Sequence, residues 1–210
     1  MPLFYQQDIN LTTKLGVWKI EETEDFFLHS VPLQRSITHP HKRLQHLAGR
    51  YLLAFLFPDF PHAEIEIADT RKPFLPDEQF HFSISHCGDY AAAIVSSTER
   101  VGIDIEMITP RIDNIKHKFL HVDELKSVND YAAGQQPKLL TLLWSAKEAM
   151  FKWWGRGDVD FSEVLRIHDF STEQSGSMNG SFDKDGISFP LQLHYRLSET
   201  TSLVWVCSEG

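Results

Sequence analysis

Long apolar runs are missing from this 210-residue sequence. Its apolar stretches are too short and too interrupted to cross a bilayer. The first eight residues, Met1 to Asp8, lack the basic region and following apolar run of a secretory signal. These absences predict a soluble, cytoplasmic protein. Cysteine is scarce: Cys87 and Cys207 are too few for a disulfide framework and are read as free thiols. Positive charge is in deficit, with 20 Lys and Arg against 29 Asp and Glu. The resulting net charge of −9 works against non-specific binding to nucleic acid or acidic membranes. No segment is both poor in apolar residues and dense in charge, so disorder finds no support. With 42% apolar residues, the chain can bury a core as one large domain or as two small lobes.

Hydrophobic periodicity sets out the elements. It predicts a short strand near Val17 to Ile20 and a helix around Thr23 to His29. A longer helix follows from His41 to Phe57, with Leu44, Leu47, Ala48, Tyr51, Leu52 and Phe55 at helical spacing, ended by Pro58. A strand is expected near Glu64 to Ala68. Phe80, Phe82 and Ile84 alternate with His81, Ser83 and Ser85 as a strand, and Tyr90 to Val95 and Val101 to Glu106 supply two more. Helical patterning covers about Asn114 to Tyr131, and a strong helix runs from Lys138 to Trp154 and stops at Gly155. Ser171 to Ser181 reads as a Ser- and Gly-rich loop, with strands near Ile187 to Tyr195 and Ser202 to Cys207. Helices and strands mix without βαβ alternation, so the predicted class is α+β.

The strand Val101 to Glu106 turns Asp104 and Glu106 to one face. Two positions apart is about 7 Å along a strand, within reach of one hard cation such as magnesium. Two acids alone suit an ordinary exposed strand face better than a metal site. The Lys138 to Trp154 helix sharpens the case. Lys147 falls near the middle of its apolar stripe, where an unpaired ammonium is costly, so the stem must reach water or an anion must meet it. Glu148 and Lys152, four apart, read either as a helix ion pair or as a carboxylate beside cations for phosphate chemistry. No Gly-x-Ser-x-Gly elbow surrounds Ser83 or Ser85, so a serine nucleophile paired with His86 is not implied. Arg35, Lys42, Arg43 and Arg50, with His39, His41 and His46, form a basic stretch that is either a solvated face or an anion site. The histidines lack the spacing of a zinc site.

Four segments in order carry a resemblance: Arg71-Lys72-Pro73-Phe74, Phe82-Ser83-Ile84-Ser85-His86, Val101-Gly102-Ile103-Asp104-Ile105-Glu106, and the run from Trp144 through Lys147 and Glu148 to Lys152. Together the chain resembles the 4′-phosphopantetheinyl transferases of the larger, surfactin-synthetase-activating type. Arg71 departs from the Gly usual there. The resemblance implies a pseudo-dimer of two similar α+β lobes, residues 1–99 and 100–210, with coenzyme A between them. It implies transfer of phosphopantetheine from coenzyme A to a serine of an apo acyl or peptidyl carrier protein. Asp104, Glu106 and Glu148 would hold magnesium, or manganese. Lys147 and Lys152 would contact the pyrophosphate. Lys72, Ser85 and His86, with Arg35, would bind the nucleotide end, and Glu148 would be the general base. The expected form is a monomer with neither nucleic acid nor membrane as partner. Carrier recognition is assigned to apolar residues near Phe119 and Leu120.

Overall fold

The structure, a computed structural model, describes residues 3–33 and 36–209. Two antiparallel sheets lie at its centre. The first contains β1 (Leu3–Asp8), β2 (Thr13–Lys19), β5 (His81–Cys87) and β6 (Tyr90–Ser96), in the order β1-β2-β6-β5. The second contains β7 (Glu99–Met107), β8 (Leu165–Ile167), β9 (Ser175–Lys184), β10 (Ile187–Leu197) and β11 (Thr201–Glu209), in the order β7-β11-β10-β9-β8. A two-stranded ribbon, β3 (Glu66–Ile67) with β4 (Pro73–Phe74), stands apart. Mixed helices and segregated antiparallel strands make the fold α+β.

The period-2 rule explains how the sheets stack. On β6, Ala91, Ala93 and Val95 join Trp18 and Phe82 against helix α2 (Pro40–Leu56), while Ala92 and Ile94 point the other way. There they meet Leu15 and Val17 of their own sheet and Val101, Ile103, Ile105, Leu203 and Trp205 of the second. The outer face of the second sheet carries Leu193, Val204 and Val206 against helix α4 (Gln136–Trp154). The layers therefore run helix, sheet, sheet, helix. Leu139, Leu140, Leu142 and Leu143 of α4 are fully buried, each worth about 2 kcal/mol of transfer free energy.

Three expectations are corrected. Residues 114–131 are not one helix: a 3-10 turn, Pro110–Lys118, leads to α3 (Val122–Asn129). Between them Phe119 and Leu120 are 0% and 4% exposed, so they belong to the core and form no recognition surface. The predicted loop Ser171 to Ser181 is largely β9, paired with β10 from Ser175↔Arg196 to Lys184↔Ile187. β1 and the short α1 (Glu24–Leu28) complete the first half.

Candidate active site

β7 and α4 touch because Gly102 has no side chain. A Cβ there would lie 2.0 Å from the Ala149 carbonyl oxygen and 2.8 Å from the Trp153 nitrogen. That approach brings the acids of β7 beneath the middle of the helix. Asp104 is 2% exposed. Its Oδ1 accepts from Lys152 Nζ at 2.7 Å and from Ser85 Oγ at 2.8 Å, and Lys152 Nζ also donates to Ser85 Oγ at 2.9 Å. Strand β5 of the first sheet, α4 and β7 thus meet in one three-membered network. Asp104 Oδ2 is buried and has no hydrogen-bond partner among the described residues.

Two half-buried carboxylates stand beside it. Burial, then the charge of Asp104, pushes the Glu106 carboxyl up to about 7, while the Trp144 side chain and Lys152 pull the other way. Burial and Asp104 likewise raise Glu148, with Lys152 opposing. Among the described residues no three His, Cys, Asp or Glu side chains are gathered tightly enough to hold an ion as they stand. The cation meeting Asp104 is the Lys152 ammonium. The donor set still fits a hard divalent ion: three carboxylates, a buried Asp104 oxygen without a partner among the described residues, and two acids whose charged forms are disfavoured by burial and the Asp104 charge.

The nucleotide-end candidates line up only in part. Ser85 is buried in the network, and His86, next along β5, is exposed. Arg35 lies outside the described residues. Lys72 enters from the loop before β4 and donates to the Lys152 carbonyl at 2.5 Å. Burial, then the charge of Arg100, lowers its ammonium to about 8. This loop docks on the end of α4: Thr70 Oγ1 donates to the Gly155 carbonyl at 3.2 Å. Gly155 takes the left-handed φ of +72° that closes α4, and a Cβ on it would lie 2.8 Å from Lys72 Nζ. Arg71 also has a left-handed φ, +67°. The backbone shape that a glycine would supply is kept without the glycine. Thr70, Lys72, Phe82, Ser83, Lys152 and Gly155 help line a cleft of about 220 Å³ between the halves.

Lys147 lies elsewhere. Its side chain is 0% exposed, and Nζ donates to the Phe119 carbonyl at 2.6 Å, Glu124 Oε2 at 2.6 Å and the Phe161 carbonyl at 3.0 Å. All three hydrogens are engaged inside the second half, so the expected pyrophosphate contact is not available to it. The anion that its place in the stripe demanded is Glu124, which also accepts from the Ile167 and His121 backbones. The basic stretch does not converge either. Arg43 pairs with Glu24 at 2.8 Å, Arg50 is buried, and His41 contacts the Gly88 carbonyl at 2.9 Å. Sequence reasoning missed Glu124, although its place three residues after His121, as the closing residue of a capping box, was a signal. It also missed that the Trp144 side chain bonds to Glu106, and that Arg100 and Arg156 line a groove adjoining the cleft.

Both thiols are free, and burial raises each, Cys207 up to about 12, so neither supplies a thiolate near neutral pH. Among the described residues no helix is long and apolar enough to cross a membrane.

Residues 100–203, which contain Asp104, Glu106, Glu148 and Lys152, match the family described as the 4′-phosphopantetheinyl transferase superfamily. Enterobactin synthase component D of Salmonella typhi is 30% identical over 143 residues, 67% of this chain and 57% of the relative. The 4′-phosphopantetheinyl transferase AcpT of Escherichia coli (strain K12) is 32% identical over 114 residues, 53% of this chain and 57% of its own. The 4′-phosphopantetheinyl transferase psf-1 of Bacillus pumilus is 40% identical over 78 residues, 37% of this chain and 33% of its own. The chain spans about half the length of the curated relatives it matches. With its paired acids under a Lys-Glu helix and all of these residues inside the matched region, the chain belongs to the 4′-phosphopantetheinyl transferase superfamily.

Proposed function

We propose that this protein transfers the 4′-phosphopantetheine group of coenzyme A to a serine of an apo acyl or peptidyl carrier protein, releasing 3′,5′-ADP. The observation that carries the reading is Asp104: buried, gripped on one oxygen by Lys152 and Ser85, with the other oxygen lacking a partner among the described residues, beside Glu106 and Glu148. Magnesium, or manganese, held by Asp104, Glu106 and Glu148 would supply neutralisation of charge at the pyrophosphate. The chain's own residues do the rest. Lys152 has two of its three hydrogens engaged among the described residues, which leaves one for a phosphate oxygen. Lys72, with hydrogens to spare among the described residues beyond its bond to α4, and Ser85 and His86 on β5 hold the nucleotide end.

In the transfer step the carrier serine oxygen bonds to the phosphorus nearest the pantetheine. The bond from that phosphorus to the bridging oxygen breaks, and 3′,5′-ADP leaves with the electron pair. Glu148 takes the serine proton. In the ligand-free chain burial and the Asp104 charge raise its carboxyl above the ordinary range, and a bound divalent ion would offset that rise. On this reading residues 1–99 carry the nucleotide contacts and 100–210 the acids, in a pseudo-dimer of the larger, surfactin-synthetase-activating type that works as a monomer. Free, unreactive thiols suit the cytoplasm.

Binding separates this from another magnesium-dependent phosphoryl transferase or nuclease using the same acids. Calorimetry should show coenzyme A binding and no oligonucleotide binding; the reverse order would sink the proposal. For the base, Glu148→Gln should lower turnover about 100-fold or more while coenzyme A still binds. Near-normal turnover would remove Glu148 from that role.

A further inference from the structure

Past Lys72 the inter-lobe cleft opens into a second groove of about 460 Å³, walled in part by His81, Arg100, Trp153, Trp154 and Arg156. Its charge is lopsided. Lys72, Arg100 and Arg156 all line it, and Glu78 is the one acid in its described wall. The Arg100 guanidinium lies over the Trp153 ring at 5.3 Å and the Arg156 guanidinium over the Trp154 ring at 5.0 Å. Among the described residues neither guanidinium is within ion-pair distance of a carboxylate. The cations also oppose one another. Beyond the effect of burial, Arg156 disfavours the charge on Arg100, and Arg100 disfavours that on Lys72 and His81. Trp154 adds a buried indole N–H that meets no acceptor among the described residues. The groove is a set of donors and positive charges short of acceptors.

We infer that this groove is a phosphate-binding subsite in which Arg100 and Arg156 grip the oxyanion. Stacking on the two indoles holds the guanidinium groups in place, so less side-chain freedom is lost when their forked donors close on a phosphate. The position fits the neighbouring site. Arg100 is four residues before Asp104 on β7, about 13 Å along the strand, and Arg156 is four residues beyond Lys152. One groove therefore continues the other, with Lys72, Phe82 and Gly155 shared between them.

The phosphate has two possible sources: the 3′-phosphate of a coenzyme A molecule reaching out of the adjoining cleft, or a separate phosphate anion. The first source rests on the proposed function; the second does not. Isothermal titration of the full chain at low ionic strength decides, comparing wild type with the double variant Arg100→Gln, Arg156→Gln. The titrants are coenzyme A, dephospho-coenzyme A, and inorganic phosphate added to coenzyme A-saturated protein. A tenfold or greater loss of coenzyme A affinity with dephospho-coenzyme A unchanged assigns the subsite to the 3′-phosphate. Loss of inorganic phosphate binding with coenzyme A affinity unchanged assigns it to a separate anion. Wild-type binding of every titrant by the double variant overturns the inference, as does equal weakening of coenzyme A and dephospho-coenzyme A. A thermal melt of the double variant checks the fold, and Arg156→Lys, which keeps charge but not the fork, should lose part of the affinity. If no carrier is ever modified and no coenzyme A binds, inorganic phosphate titrated into the ligand-free chain still decides: binding lost in the double variant keeps the subsite, and binding equal in both or absent from the wild type overturns it.

Discussion

Residues that carry the site do so under strain or burial, which makes them individually testable. Arg71 holds a φ of +67° where a Cβ costs about 1 kcal/mol or more. Its side chain is exposed, and its backbone N–H donates to the Ala68 carbonyl at 2.8 Å, so the turn and not the side chain sets the conformation. Arg71→Gly should stabilise the chain by about 0.5–1 kcal/mol after the extra freedom of glycine in the unfolded state is subtracted. Denaturant titration checks this; destabilisation would mean that the guanidinium makes a contact that matters. Lys72 gives a pH signature. Its pKa falls from the ordinary 10.5 to about 8 on folding. Below pH 8 both states carry the charge and the folded state bears the full cost of burying it; above 10.5 both are neutral and the cost is gone. Stability contributed through Lys72 therefore rises as pH rises from about 8 to 10.5. Lys72→Met should remove that rise and stabilise the ligand-free chain by about 1–2 kcal/mol at pH 7, less than the full shift because the ammonium keeps a hydrogen bond. An unchanged pH profile would contradict the burial of Lys72.

Pairs of elements hold the geometry. The β7–α4 contact depends on Gly102, and Gly102→Ala would press a methyl group into the helix backbone at 2.0 Å, where no flexible side chain can give way. A loss of about 3 kcal/mol or more, read by denaturant titration, is expected. Wild-type stability would mean that the strand and helix do not meet as described. The Lys147–Glu124 pair ties α4 to α3, to the Phe119 and Phe161 carbonyls and to β8. Breaking it from one side leaves a buried ion without its partner, so Glu124→Gln and Lys147→Met should each cost about 3 kcal/mol or more, non-additively. The folded fraction of Lys147→Met should bind coenzyme A with little change. A selective loss of binding at unchanged stability would restore the pyrophosphate role. Elements were legible where pattern and propensity agreed. The long helices, and β5, β6 and β7, follow their periodicity to within a few residues. β9 was not legible, because its Ser- and Gly-rich first half has little strand propensity and is held by pairing with β10. Likewise Arg50 sits at a helical position shared with Arg43 and His46, yet α2 is covered on more than one side and buries it.

Across the whole molecule, two sheets pack back to back and bring three distant segments together: Ser85 from the first half, Asp104 from β7 and Lys152 from α4. Residue types and spacing pointed to Asp104, Glu106, Glu148 and Lys152 because strand and helix periods fix which side chains share a face. What the sequence could not say is what each face meets. Lys147 and Lys152 look equivalent in the motif, but five residues on a helix turn them in different directions, one to Glu124 in the core and the other to the cleft. The groove lined by Arg100 and Arg156 was hidden for the same reason, since its cations come from positions 56 residues apart. The central claim is that the Asp104 cluster at this junction performs group transfer. The most direct measurement mixes the purified chain with coenzyme A, magnesium and an apo acyl carrier protein, and weighs the carrier by mass spectrometry. The account predicts a carrier heavier by one phosphopantetheine on its serine, with the gain abolished by chelator and by Asp104→Ala. No gain on acyl and peptidyl carriers alike, with coenzyme A bound, would contradict it and leave a binding protein in place of an enzyme.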